Sequence, residues 1–124
     1  MFFRVSKLDG QTLVLEIQAG DSGTVTDLLE ERGHGFALFG EDVQVPMAVV
    51  DGRVRGESWC TEAHLLAIEA HELGHILTAS VDEPTAERKG IELLLEGGFH
   101  DAARLLLERG VISAGEFPAQ QEKK

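Results

Sequence analysis

One uninterrupted run of helical-period sequence, TEAHLLAIEAHELGHILTAS, fixes the middle of the chain. Leu65, Ile68, Ala79 and neighbouring apolar residues recur around a helix of roughly five turns, and Thr61 stands where it can cap the start. The chain has 124 residues and is 43% hydrophobic, which suits one compact domain over residues 1–124 with one core. That length is too short for a catalytic domain beside a separate substrate domain. Any functional site must share the core that this helix helps to build.

The segments before the helix read as strands broken by turns. FFRVSKL and TLVLEIQ, on either side of Asp9-Gly10, have the alternation and β-branching of a hairpin. TVTDLLEERG predicts a short helix of about two turns, with Thr26 as a possible N-cap, Leu28 and Leu29 as an apolar pair and Gly33 as a stop. FALF and VQVPMAVV look extended, and Asp51-Gly52 is expected to turn the chain back into an extended RVR. Pro46 lacks an amide proton, which favours a sheet edge for the second of these strands. Beyond the long helix, Ser80 to Glu83 looks like a break and Pro84 suits a first helical position. A helix then runs to Gly97-Gly98, and a third, about HDAARLLLER, ends at Gly110. Residues 115–124 are expected to be a frayed polar tail. The predicted fold class is α+β: a small, mostly antiparallel N-terminal sheet backed by the HELGH helix and two C-terminal helices.

Charge and composition narrow the function classes. With 22 acidic residues against 11 basic ones, the formal charge is -11, and such a surface repels phosphate backbones and anionic lipid headgroups. Neither nucleic acid nor a membrane is an expected partner; a basic peptide would be steered in more easily than an acidic one. Cys60 is the only cysteine, which removes internal disulfides and cysteine-rich zinc sites together and fits a reducing compartment. The start, MFFRVSKLDGQ, has no signal-peptide pattern, and the apolar runs fall far short of the roughly 20 residues that cross a bilayer. A soluble, cytoplasmic protein is expected.

Within the long helix, each residue advances about 100°, so His71 and His75 project from one face about a turn apart and their imidazoles can converge on one ion. Glu72 is rotated to the side of that pair. A carboxylate beside the ion, not on it, can take a proton from metal-bound water while the histidines hold the metal. Gly74 costs about 1 kcal/mol of helix propensity relative to alanine, but it would let another segment approach the metal-bearing face. Two histidines leave a zinc ion underfilled, since catalytic sites usually have three protein ligands and an open fourth position. Asp82, Glu83 and Glu87 all lie just past the helix break; Glu83 is the first choice for the third ligand, Glu87 next and Asp82 last.

HELGH followed by EPTAERKGIELLLEGGFHDAARLLL resembles the gluzincin metallopeptidases, particularly the HtpX-like endopeptidases and the ImmA/IrrE-type peptidases. Those families carry an HExxH zinc helix and then a Glu-x-x-Ala-Asp or Glu-x-x-Ala-Asn segment whose glutamate is the third ligand; Glu83 and Ala86 match that segment. Gly90, Leu93-Leu94, Gly98-Phe99 and Ala103 follow the HtpX-like pattern of a helix, a Gly-aromatic turn and a further helix. The likeness covers about residues 68 to 107. It departs from the pattern where Glu87 replaces Asp or Asn, where Pro84 directly follows the ligand, in the short connection from His75 to Glu83, and in lacking transmembrane helices. The resemblance implies a small zincin-like metallopeptidase that hydrolyses a peptide or protein substrate, with Zn2+ held by His71, His75 and Glu83 and with Glu72 as general base. The alternative is a catalytically silent zincin-like module that binds a metal or a protein partner.

Plainer readings attach to the other polar residues. His64 lies two turns before His71, some 10 Å along the axis, and reads as a packed or capping residue. His34, between two glycines, reads as an exposed loop residue, and His100 as a helix cap or a group that reaches the reaction. Nothing near Cys60 argues for a nucleophile. Glu62, Glu69 and Glu92 read as solvated faces. No tyrosine is present to act as a phenolic oxyanion donor. For an extended substrate, the strand around Val43 to Val50 is the candidate docking edge.

Overall fold

The computed structural model describes residues 1–109; the tail expected over 115–124 and the helix stop expected at Gly110 lie outside them. Strands β1 (Phe2–Val5) and β2 (Leu13–Ile17) form the expected antiparallel hairpin. Asp9 shapes its turn by accepting the Gln11 and Thr12 amides at 2.9 Å each, while Gly10 takes φ +69°, where a side chain would be strained. Helix α1 (Thr24–Arg32) follows, then β3 (Gly35–Leu38) and β4 (Met47–Asp51). Gly23, not Thr26, occupies the N-cap position of α1; the Thr26 hydroxyl donates back to the Gly23 carbonyl at 2.8 Å instead of capping an amide.

The strand order is β1-β2-β4-β3, a small mixed sheet whose two outer pairs are antiparallel, as expected of most of it, and whose central pair is parallel. Parallel neighbours need a long crossover, and the stretch through α1 and β3 supplies it. The central strands are covered on both faces. Val14, Ala48 and Val50 pack towards the later helices, whereas Leu15, Ile17 and Val49 join Leu29 and Phe36 under α1. β4 starts only after Pro46 and lies between β2 and β3, which corrects the edge position inferred from that proline: its missing amide falls outside the ladder. The edges are β1 and β3. After β4, the RVR segment expected to be extended winds instead into a short 3-10 helix over Gly52–Gly56, because Asp51 accepts the Arg53 amide at 3.1 Å and the Arg53 guanidinium at 2.8 Å.

Helices α2 (Glu62–Thr78), α3 (Glu83–Glu96) and α4 (His100–Arg109) form the layer behind the sheet. Thr61 caps α2 reciprocally with His64: the hydroxyl accepts the His64 amide at 3.3 Å, and His64 Nδ1 accepts the Thr61 amide at 3.0 Å. No helix of the described residues is long and apolar enough to cross a membrane.

Two features lock α2 in place. The first is a backbone-to-backbone seam with α3. A Cβ built on Gly74 would overlap the Ala86 carbonyl oxygen and stand 2.8 Å from its carbon; one built on Gly90 would stand 2.8 Å from the Ala70 carbonyl oxygen. Ala70 and Gly74, four apart on α2, thus meet Gly90 and Ala86, four apart on α3, in antiparallel order. The second is an ionic cluster on the sheet side. Glu69, 2% exposed, accepts Arg4 Nη2 at 2.7 Å and the Ser6 hydroxyl at 2.6 Å. Glu16, 3% exposed, takes the same Arg4 group at 3.2 Å and pairs with Arg55. Glu69 is therefore a buried structural carboxylate and not the solvated group expected; Glu62 and Glu92 are exposed.

Gly74→Ala should destabilise the protein by about 1–3 kcal/mol in urea denaturation, the overlap with Ala86 outweighing the gain of about 1 kcal/mol in helix propensity. Glu69→Ala removes the acceptor of the fully buried Ser6 hydroxyl and one of the two carboxylates on Arg4, and should cost about 2–3 kcal/mol. Glu92→Ala, on an exposed face, should change stability by less than about 0.5 kcal/mol in the same measurement.

Candidate metal centre

The last turn of α2, the tight connection after it and the first residue of α3 build the site. Ala79 ends α2 in the left-handed region at φ 51°, and the Ser80 amide donates to the His75 carbonyl at 3.1 Å, so the chain reverses within a few residues. Asp82 then caps α3 by accepting the Thr85 amide at 3.0 Å, which sets Glu83 at the first helical position and Pro84 behind it, where no amide is needed. The α2–α3 seam holds this turn against the face that carries the histidines.

His71, His75 and Glu83 meet at one point. Glu83 Oε1 lies 2.8 Å from His71 Nε2 and 2.9 Å from His75 Nε2, and the two rings stand edge-on with centroids 4.9 Å apart. His71 is fully buried, whereas the Glu83 side chain is 46% exposed. His75 Nδ1 lies 2.7 Å from the Ser80 carbonyl, which can only accept, so Nδ1 carries the proton. In the neutral ring Nε2 then points a lone pair at the carboxylate oxygen, a contact that a cation bound between them would make favourable. Burial pushes the His71 pKa down against the pull of Glu83, favouring the neutral imidazole that ligates metals. These three side chains could hold a metal ion.

Glu72 lies beside this point, 1% exposed, and its Oε2 finds no hydrogen-bond partner among the described residues. Burial, reinforced by the Glu83 charge and opposed by Arg32, pushes its carboxyl up to about 8. It opens onto a cleft of about 300 Å³ whose walls include Arg32, Phe36, Phe39, His75, Val81 and Glu83. Phe39, just past β3, stacks on the His75 ring at 6.3 Å. Gly35 brings the β3 backbone close, since a Cβ there would stand 2.7 Å from Ile68 and 3.4 Å from Glu72 Cγ.

The other candidates fall elsewhere. Asp82 spends its carboxylate on Thr85, whose hydrogen bonds hold its pKa down. Glu87 sits one turn beyond Glu83; its Oε1 is buried without a partner among the described residues, and burial with Glu83 nearby raises its pKa. Neither joins the three-atom cluster. His64 caps α2, and His100 lies exposed at a separate cavity whose lining includes Arg4 and Glu69. His34 is half-buried with its ring 5.3 Å from Trp59, not the exposed loop residue expected. Cys60 is half-buried and burial raises its thiol pKa, the opposite of nucleophile activation. Sequence reasoning missed the Ser80 carbonyl, Phe39 and Arg32; a backbone acceptor and residues more than thirty positions upstream leave no mark in a local motif.

No protein-family model, curated protein or solved structure matches the chain.

Elemental analysis of purified protein should find about one equivalent of a metal ion per chain. Glu83→Ala and His75→Ala should each lose it, while Asp82→Ala keeps it. Retention by Glu83→Ala would remove the third ligand.

Proposed function

We propose that the chain is a zinc-dependent peptidase of zincin-like fold, with Zn2+ held by His71, His75 and Glu83 and with Glu72 as general base. The observation that carries this reading is the single carboxylate oxygen approached by two imidazole nitrogens, at 2.8 and 2.9 Å. Ligand atoms about 2.0–2.2 Å from a tetrahedral zinc stand roughly 3.3 Å apart. The observed 2.8 and 2.9 Å need to open by only a few tenths of an ångström, and Glu83, half-exposed at the start of its helix, is the group with room to do so. Zinc at this point would supply Lewis acidity, polarising a carbonyl and making water a better nucleophile.

The side chains divide the remaining work. Ser80 fixes the His75 tautomer through Nδ1. Glu72 takes the proton from the attacking water at its unpartnered Oε2 and returns it to the leaving amine; positive charge at the neighbouring ligand point would favour its carboxylate form. β4 is paired on both sides, so an extended substrate would add to β3, the sheet edge bordering the cleft, in place of the Val43 to Val50 segment expected from sequence. A reducing, cytoplasmic setting suits the lone thiol, and the net charge of -11 disfavours nucleic acid as a partner.

Glu72→Gln should keep its zinc while peptide cleavage falls by at least about 100-fold, measured on a mixed peptide library by mass spectrometry. Unchanged cleavage would refute the assigned base. A zinc-loaded parent that cleaves nothing would leave the second reading, a module that binds a partner without hydrolysing it.

A further inference from the structure

Arg32 is the one basic side chain on the cleft, where Glu31, Glu72 and Glu83 are also exposed or aimed inward. The molecule has abundant acid to neutralise it: Arg4, Arg53, Arg55 and Lys89 hold carboxylates within 3.2 Å, whereas Lys7 and Arg88 hold none among the described residues. Arg32 has no carboxylate within ion-pair distance among the described residues, although Glu31 precedes it in the chain. Its guanidinium instead lies over the ring of Phe36, 5.9 Å from the centroid. Phe36 is almost fully buried in β3 while Arg32 is exposed, so a fixed ring supports a guanidinium that solvent and a ligand can reach. Such a fork matches a carboxylate in two parallel hydrogen bonds.

The placement along β3 gives this fork a register. Glu72 lies against Gly35 and within electrostatic reach of Arg32, whereas Phe39 and Val81 form an apolar wall at the His75 end. A peptide laid along β3 thus passes a cationic end and an apolar end of one short cleft, with alternate side chains facing it. Resting on the peptidase reading above, we propose that Arg32 is a specificity-determining residue that selects peptides with an acidic side chain close to the scissile bond, by pairing with that carboxylate. The global charge of the protein then discourages uniformly acidic chains, so the selected segment is a neutral or basic one with a single placed acid.

The test separates binding from cleavage. Zinc-loaded Glu72→Gln is titrated, by fluorescence anisotropy, into labelled octapeptides of alanine, serine and valine in which one glutamate, or its glutamine twin, is walked through the positions. The expected result is one position at which glutamate binds roughly tenfold tighter than glutamine. That preference should vanish when Arg32→Gln is added, and Arg32→Glu should transfer it to a lysine twin. Equal affinity of the twins at every position, a preference that survives Arg32→Glu, or no binding of any peptide would each overturn the inference. Cleavage of the same peptides by protein with Glu72 intact is read in parallel. Charge selectivity without cleavage would overturn hydrolysis and leave the role of Arg32 standing. A uniform fall in turnover in Arg32→Gln, with no twin preference in binding, would move Arg32 from specificity to the reacting atoms.

Discussion

The approach of the α2 and α3 backbones along Ala70, Gly74, Ala86 and Gly90 is the constraint on which the rest of the site depends. A carboxylate at the first residue of a helix has a short reach, so it can meet imidazoles on the preceding helix only if the two axes run unusually close. Any side chain at Gly74 would occupy the space now filled by the Ala86 carbonyl. The glycine therefore acts at a distance on chemistry it never touches, and its unfavourable helix propensity is offset by the contact it permits. Seen this way, the fourth position of HELGH matters through packing as much as the histidines matter through ligation.

Much of the helical half was legible because its signals are local. Thr61 as a cap, the break before Glu83, Pro84 in a first turn and the HDAARLLLER helix each follow from residue types within a turn of one another. The sheet was legible only in pieces. A strand's alternation tells which side chains share a face, but not which neighbour it pairs with, and so the parallel contact of β2 with β4 left no trace in either segment. Pro46 misled for a related reason: whether a missing amide matters depends on where the ladder starts, and the ladder begins one residue later.

At the site, the three side chains brought together were those singled out from the HELGH spacing and the downstream acids, because helical geometry converts sequence intervals into faces. Glu69 shows the limit of that conversion. On helix periodicity alone a glutamate reads as solvated, and only the arrival of Arg4 and Ser6 from the first strand makes its burial tolerable. The result is a helix anchored on opposite flanks by unlike means. One side carries a satisfied ionic cluster shared with β1 and β2, and the other a close-packed, nearly side-chain-free contact with α3.

The left-handed Ala79 and the few residues after it give the connection between His75 and Glu83 almost no slack. Because Ser80 both donates its amide to the His75 carbonyl and offers its own carbonyl to the same residue's ring, the loop is also the brace of one imidazole. Inserting or deleting a single residue here would break the pairing of Ser80 with His75 and shift the start of α3, so that Glu83 could not keep the shared point while Ala86 and Gly90 kept the seam. The segment is a spacer whose length is constrained as tightly as the identity of the side chains it joins.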